Sequence, residues 1–275
     1  MSDTFSQPHS PTDADLVFLV NGEALLVGAS GQHPTIPSYR AVREHLSAQP
    51  LHLIGSLEGR PCYAGMLENR SDLPPFSAVR AIRSLFGRID DTVFWMATKA
   101  MHIVVWNSET KYCSRCGTAT AIKHDELAKI CSECGSVVYP RISPAIIAAI
   151  VRDDALLMLK HRHTANDLYA LMAGFVEPGE TLEQAVAREA FEETGIEVTD
   201  IRYFGSQPWA FTGALMVGFT ARYAGGELTL QESEIRHADW FRAGALPKAS
   251  VYYKKYAKCS ISWHLMRWFV ETYGG

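Results

Sequence analysis

Four cysteines near the middle of the chain, Cys113-x2-Cys116 and Cys131-x2-Cys134 with fourteen residues between the pairs, restrict the fold more than any other feature. Each C-x2-C pair forms a tight knuckle that delivers two sulfurs to one ion at ~2.3 Å, and two knuckles a hairpin's length apart close a tetrahedral four-thiolate site. The spacing predicts one structural zinc per subunit, in a ribbon over residues 108–141. His124 lies between the pairs, but four sulfurs complete the shell, so it reads as a surface histidine. Cys62 and Cys259 fall outside any such pair and read as unpaired buried thiols or a redox pair. A ribbon at this place leaves one candidate domain before it, residues 15–107, and one after it, residues 142–275.

Both flanking segments have the means to fold. The 275 residues are 47% hydrophobic and 11% aromatic, which supplies a core. A formal net charge of −4 excludes a chain-wide basic field for nucleic acid. The opening stretch MSDTFSQPHSPTDAD is polar and lacks the charged-then-apolar layout of a signal peptide, and no apolar run approaches the ~20 residues of a membrane span. These features predict a cytoplasmic protein with no membrane partner, and residues 1–14 as a disordered tail with little to bury.

In the first segment, LVFLV-NG-EALLVG reads as a hairpin turning at Asn21-Gly22, and HLIGSLEGRPCYAGML as a second turning at Glu58-Gly59. SAVRAIRSLFG and DTVFWMATKAMHIVVW read as helices from their apolar spacing. Beyond the cysteines, PAIIAAIV, ALLMLKHR, LYALMAGFVE, ALMVGFTARY and ADWFR read as strands, and residues 258–272 as a closing helix. The mixture predicts an α+β protein whose second domain sandwiches a sheet between helices.

The stretch GFVEPGETLEQAVAREAFEETGI, residues 174–196, carries six glutamates. It reads as a helix capped by Thr181, with Gln184 reaching back, and stopped at Gly195 by a left-handed turn. At 100° per residue Leu182, Ala185 and Val186 define a stripe that Glu189, Glu192 and Glu193 continue, while Ala187, Ala190 and Phe191 take the other side. Carboxylates ~5–6 Å apart repel by roughly 3 kcal/mol per pair at an effective dielectric near 20. A hard divalent cation among them removes that cost, and Arg188 is placed to steer a neighbouring carboxylate.

The pattern Gly174-x5-Glu180-x7-Arg188-Glu189-Ala190-x-Glu192-Glu193-x-Gly195-Ile196 resembles the Nudix box, with Ala190 small where a bulkier aliphatic is usual. The resemblance implies a Nudix α/β/α sandwich with a mixed sheet, preceded by the four-cysteine ribbon and a small α+β domain. It also implies hydrolysis of a nucleoside diphosphate linked to another moiety. Carried over by position, Glu189, Glu192 and Glu193 are the catalytic residues. Glu189 and Glu193 lead the ligands of a catalytic Mg²⁺ or Mn²⁺, with the Ala173 carbonyl and Glu234 completing the set. Such an ion neutralises diphosphate oxygens and acidifies water, and a carboxylate takes the proton as the water attacks phosphorus.

Residues 206–216, SQPWAFTGALM, resemble the array of the NADH pyrophosphatase branch of that family, with Ala210, Thr212 and Ala214 in place of two prolines and a small polar residue. The branch implies NAD(H) as substrate, removal of the NAD cap from RNA 5′ ends, and a homodimer. A dinucleotide site needs flat faces, for which Trp209, Phe211, Phe175 and Tyr139 are candidates, and polar edges, for which Gln207 and Glu126 are. No GxGxxG follows a strand, so NAD enters as substrate rather than as a hydride-transfer cofactor. Two other readings share these motifs: a Nudix hydrolase of ADP-ribose or dinucleoside polyphosphates, and an RNA-binding zinc-ribbon protein with a vestigial box. The stretch YYKKYAK, 252–258, reads as a solvated loop with a basic charge that a phosphate chain can meet.

Overall fold

The computed structural model describes residues 10–28, 33–46, 50–68, 73–123, 125–162, 168–248, 250 and 258–274. The chain divides into two compact units, Met1–Arg141 and Ile142–Gly275.

The first unit is built on a five-stranded sheet. Its strands are β1 (Leu16–Asn21), β2 (Ala24–Gly28), β3 (His52–Leu57), β4 (Arg60–Met66) and β5 (Ser77–Ala81), in the order β3-β4-β1-β2-β5. β1 is central because Val17, Phe18, Leu19 and Val20 are all buried, an unbroken apolar run that only a strand covered on both faces tolerates. Two short helices, α1 (Tyr39–Val42) and α2 (Ile82–Leu85), precede α3 (Asp91–Glu109). Asp90 caps α3 by accepting from Thr92 N, and the helix packs on β1, β3 and β4. The turn at Glu58-Gly59 has positive φ at both residues, 51° and 76°, as a two-residue hairpin of the primed type requires. At the first hairpin the connecting pair is Gly22-Glu23, one residue later than expected. Asn21 stays in the ladder opposite Ala24, where its Nδ2 donates to Leu67 O at 2.8 Å.

SAVRAIRSLFG is not one helix. Ser77–Ala81 pairs with β2 along its whole length, and helix begins only at Ile82, so the available sheet edge overrides the helical spacing. Of the expected disordered tail, residues 1–9 lie outside the described residues. Beyond them Thr12 closes a turn, its N and Oγ1 donating to the Asp15 carboxylate at 2.8 and 2.9 Å.

The cysteine segment forms a three-stranded sheet, β6 (Thr120–Ile122), β7 (Lys129–Cys131) and β8 (Val137–Val138), in that order. Lys129 on β7 is buried, and its Nζ donates to the carbonyls of Asn107 and Thr110, both at 2.8 Å. These lie at the C-terminus of α3, where helical carbonyls lack internal partners.

The second unit is a mixed six-stranded sheet of β9 (Ser143–Arg152), β10 (Ala155–His161), β11 (Met172–Phe175), β12 (Glu197–Trp209), β13 (Ala214–Gly225) and β14 (Ile235–Arg242). The order is β12-β13-β9-β10-β14, with β11 also paired to β9; β13 runs parallel to β9 and the other pairs are antiparallel. β9 divides two cores by its period of two. Ile146, Ala148 and Ile150 face the core that includes α4 (Leu182–Thr194), and Ile147, Ala149 and Val151 face the core that includes α5 (Ile261–Tyr273). The result is the expected sheet between helices. β12 is the strand that hydropathy missed: none of its residues is fully buried and its partly covered ones follow no strict alternation, and it carries Ser206–Trp209 of the aromatic array in a ladder with β13. No helix among the described residues is long and apolar enough to cross a membrane.

Candidate active site and zinc ribbon

α4 begins and ends as its sequence dictates. Thr181 Oγ1 accepts from Gln184 N at 3.2 Å, Gln184 Oε1 accepts from Thr181 N at 2.8 Å, and Gly195 takes φ +71°. Its buried stripe is Ala185, Val186, Ala190, Glu193 and Thr194. Two assignments to the faces change. Ala190 joins the buried stripe, where its small side chain meets the sheet, and Glu192 swings outward to 53% side-chain exposure, leaving Glu189 and Glu193 inside.

Glu193 is only 3% exposed, and its Oε2 has no hydrogen-bond partner among the described residues. Burial, reinforced by the charges of Glu189, Glu234 and Glu192, pushes its carboxyl up to about 8. Burial also raises Glu189, against the opposing pull of Arg188. A buried carboxylate oxygen without a donor, ringed by further carboxylates, is the donor set a hard divalent cation takes, so these residues fit the ion the sequence implies. Gly174 on β11 completes the arrangement: a Cβ there would overlap the Glu189 carboxylate, so only glycine lets that side chain lie against the loop backbone.

Arg188 organises the periphery. Its Nε and one terminal nitrogen reach the two oxygens of Glu180 at 2.5 and 3.1 Å, and that same nitrogen donates to Phe175 O at 2.9 Å. The other terminal nitrogen reaches Glu189 at 3.0 Å and Glu192 at 2.9 Å. The guanidinium holds Glu180 below the usual carboxylate range. One fork therefore ties the helix to the loop that precedes it. The reach from Arg188 to Glu180 and to the last carbonyl of β11 follows no helical spacing, so periodicity cannot reveal it.

The remaining candidate residues fall in several places. Ala173 is half-buried on β11 opposite Ile147. Glu234 is exposed on the turn before β14, close enough for its charge to act on Glu189 and Glu193. Phe175 is 54% exposed at the end of β11. Trp209 meets Phe211 edge-on, ring centroids 5.2 Å apart. Gln207 uses its amide within the chain: Nε2 donates to Cys259 O at 2.6 Å and Oε1 accepts from Ile261 N at 2.8 Å, which fixes the start of α5. Glu126 and Tyr139 meet in the first unit, where the Tyr139 hydroxyl donates to Glu126 at 3.2 Å and Lys123 pairs with the same carboxylate at 2.8 Å. His124 and most of YYKKYAK lie outside the described residues.

In the ribbon, the Sγ atoms of Cys113, Cys116, Cys131 and Cys134 all lie within 4.8 Å of one another, with neighbours at 3.4 to 3.6 Å. A disulfide needs ~2.05 Å, whereas a tetrahedron of sulfurs at ~2.3 Å from zinc places them ~3.8 Å apart. The two knuckles are built alike. Gly117 N donates to Cys113 O and Gly135 N to Cys131 O, at 2.9 and 3.0 Å, and both glycines have positive φ. The donor set fits structural zinc, and none of the six cysteines is in a disulfide.

Comparison with known proteins agrees with this geometry. Residues 14–106 match the family described as the NADH pyrophosphatase-like rudimentary NUDIX domain, 108–139 the NADH pyrophosphatase zinc ribbon domain, and 142–262 the NUDIX domain. A protein of Vibrio cholerae named NAD-capped RNA hydrolase NudC is 40% identical over 212 residues, 77% of this chain and 77% of its own. One of the same name from Deinococcus radiodurans is 37% identical over 250 residues, 90% of this chain and 85% of its own. The crystal structure of a NUDIX hydrolase from Nitrosomonas europaea covers 60% of this chain and 93% of its own with a TM-score of 0.50 at 23% identity, a likeness of fold alone. With a buried carboxylate pair on a capped helix, a four-sulfur ribbon and relatives that align along most of its length, this chain belongs to the Nudix hydrolase family, in the branch with a zinc ribbon and an NADH pyrophosphatase-like N-terminal domain.

Proposed function

We propose that the chain hydrolyses the diphosphate linkage of NAD(H) to nicotinamide mononucleotide and AMP, and removes the NAD cap from RNA 5′ ends. The observation that carries this reading is the unpartnered, buried Oε2 of Glu193 beside Glu189, in a chain that aligns with NAD-capped RNA hydrolases over 77% and 90% of its length. Glu189, Glu193 and Glu234, with the Ala173 carbonyl, hold Mg²⁺ or Mn²⁺, which neutralises diphosphate oxygens and acidifies a water when bound. Glu193, almost fully buried beside Glu189, takes the proton of the attacking water. Arg188 keeps Glu189 and Glu192 in place, and the ligand glutamates need no covalent intermediate.

On this reading Trp209 and Phe175 supply flat faces for the dinucleotide. Gln207 supports the array through its clamp on α5. The small N-terminal domain spans 15–107, the ribbon 108–141 and the catalytic domain 142–275. We assign the protein to the cytoplasm, and to a homodimer as its branch implies. Product analysis on NADH, NAD⁺, ADP-ribose and NAD-capped RNA with either cation tests the proposal. Nicotinamide mononucleotide with AMP, or with 5′-monophosphate RNA, is expected. Faster turnover of ADP-ribose than of any NAD substrate would move the chain to the alternative diphosphatase.

A further inference from the structure

Glu234 comes to the carboxylate cluster from a turn, not from a helix or a strand, so something outside the turn must fix it. Inside, Glu234 N and Ile235 N both donate to Gln231 O, at 3.0 and 2.9 Å. On one side the turn hangs from α4: Gln231 N donates to Glu193 O at 3.1 Å, and Thr229 N to Thr194 O at 2.9 Å, using carbonyls of the helix's last turn. On the other side, among the described residues, Arg162 holds two of its carbonyls. Arg162 N donates to Glu234 O at 2.7 Å, and Arg162 Nε donates to Glu232 O, also at 2.7 Å. The pairing of β10 with β14 shifts register between Lys160 and His161, which places His161 opposite Ile235 and sets Arg162 beside the turn.

We propose that Arg162 is a positioning residue, which holds the carbonyls of Glu232 and Glu234 so that the Glu234 carboxylate stands at the cation site of Glu189 and Glu193. The inference rests on the reading of Glu234 as a ligand. Its residue-specific part is the Nε bond, because any residue but proline makes the backbone one. Nε lies in the rigid plane of the guanidinium, a geometry that a lysine ammonium on a longer flexible stem does not reproduce. Loss of Nε leaves the strand pairing and the backbone bond to Glu234 O intact and releases the Glu232 carbonyl.

The test measures Mn²⁺ binding directly, by the paramagnetic resonance of unbound Mn²⁺, alongside thermal unfolding, on Arg162→Ala, Arg162→Lys, Glu234→Gln and the double variant Arg162→Ala/Glu234→Gln. Arg162→Ala is expected to weaken Mn²⁺ binding roughly 10-fold, the scale of lost outer-shell support, with little change in Tm. Arg162→Lys should restore only part, and the double variant should bind no more weakly than Glu234→Gln alone. Should the alanine variant prove unstable, Arg162→Gln carries the same comparison. Unchanged binding in Arg162→Ala beside weakened binding in Glu234→Gln removes the role of Arg162 alone. Unchanged binding in Glu234→Gln overturns the ligand reading and the proposal with it. Additive losses in the double variant place the action of Arg162 elsewhere and also overturn it.

Discussion

The Glu189 carboxylate occupies the space beside Gly174 where any other residue would carry its Cβ. Gly174 does not have a left-handed φ, so alanine meets no backbone strain there and the clash falls wholly on the carboxylate. Gly174→Ala is therefore expected to displace Glu189 while the fold survives, at a cost in kcat of at least ~10²-fold, the scale of a misplaced catalytic group. Steady-state kinetics with circular dichroism check it; a variant with near-normal kcat would show that Glu189 need not lie against the loop.

Glu193→Gln keeps the volume, removes the charge, and should lower turnover on NADH by ~10²–10⁴-fold. Its effect on stability has a definite sign. A carboxyl raised to about 8 in the fold binds more protons there than in the unfolded chain between its ordinary value and pH 8, so ionisation destabilises the native state as pH rises through that window. The full cost, above pH 8 and without divalent cation, has an upper bound of roughly 5 kcal/mol. In buffer lacking Mg²⁺ and Mn²⁺, the Tm of Glu193→Gln relative to the parent should rise from pH 5 to pH 8.5. A pH-independent difference would mean the carboxyl titrates normally.

One zinc per chain is expected in the purified protein, and Cys113→Ser should lose it, since such sites contribute ~10–16 kcal/mol in zinc-finger peptides. Elemental analysis decides: zinc retained at full stoichiometry in the variant would count against the four-sulfur site.

Trp209→Ala should raise KM for NADH more than it lowers kcat, because a stacking face binds ground and transition states about equally. The edge-on contact with Phe211 holds the ring without covering it, as Trp209 is only half-buried. Unchanged constants would return Trp209 to a packing role.

Local chemistry was legible in the sequence; contacts between distant segments were not. The Thr181 cap, the Gly195 stop and the paired cysteine knuckles depend on neighbours within a few residues, and each stands where its pattern put it. Ser77–Ala81 was read as helix because its strand character comes from β2, some fifty residues earlier. β12 escaped notice for a related reason: an edge strand half-covered by neighbours needs no sharp alternation of apolar residues. Within the site, helix phase places Glu189 and Glu193 on the inner side but misassigns Ala190 and Glu192, whereas the fork of Arg188, the clamp of Gln207 and the hold of Arg162 on the Glu232 carbonyl join segments that no period relates.

Lys129 places a ribbon side chain over the final carbonyls of α3, so the end of that helix depends on a residue from a different sheet. The lysine lies twenty residues beyond the end of the helix, on β7, which pairs with β6 and β8 in the ribbon whose last sulfur is Cys134. Ribbon and helix are thus joined at one ammonium: a change at Lys129 would leave the Asn107 and Thr110 carbonyls without the donor that now closes the longest helix of the N-terminal domain.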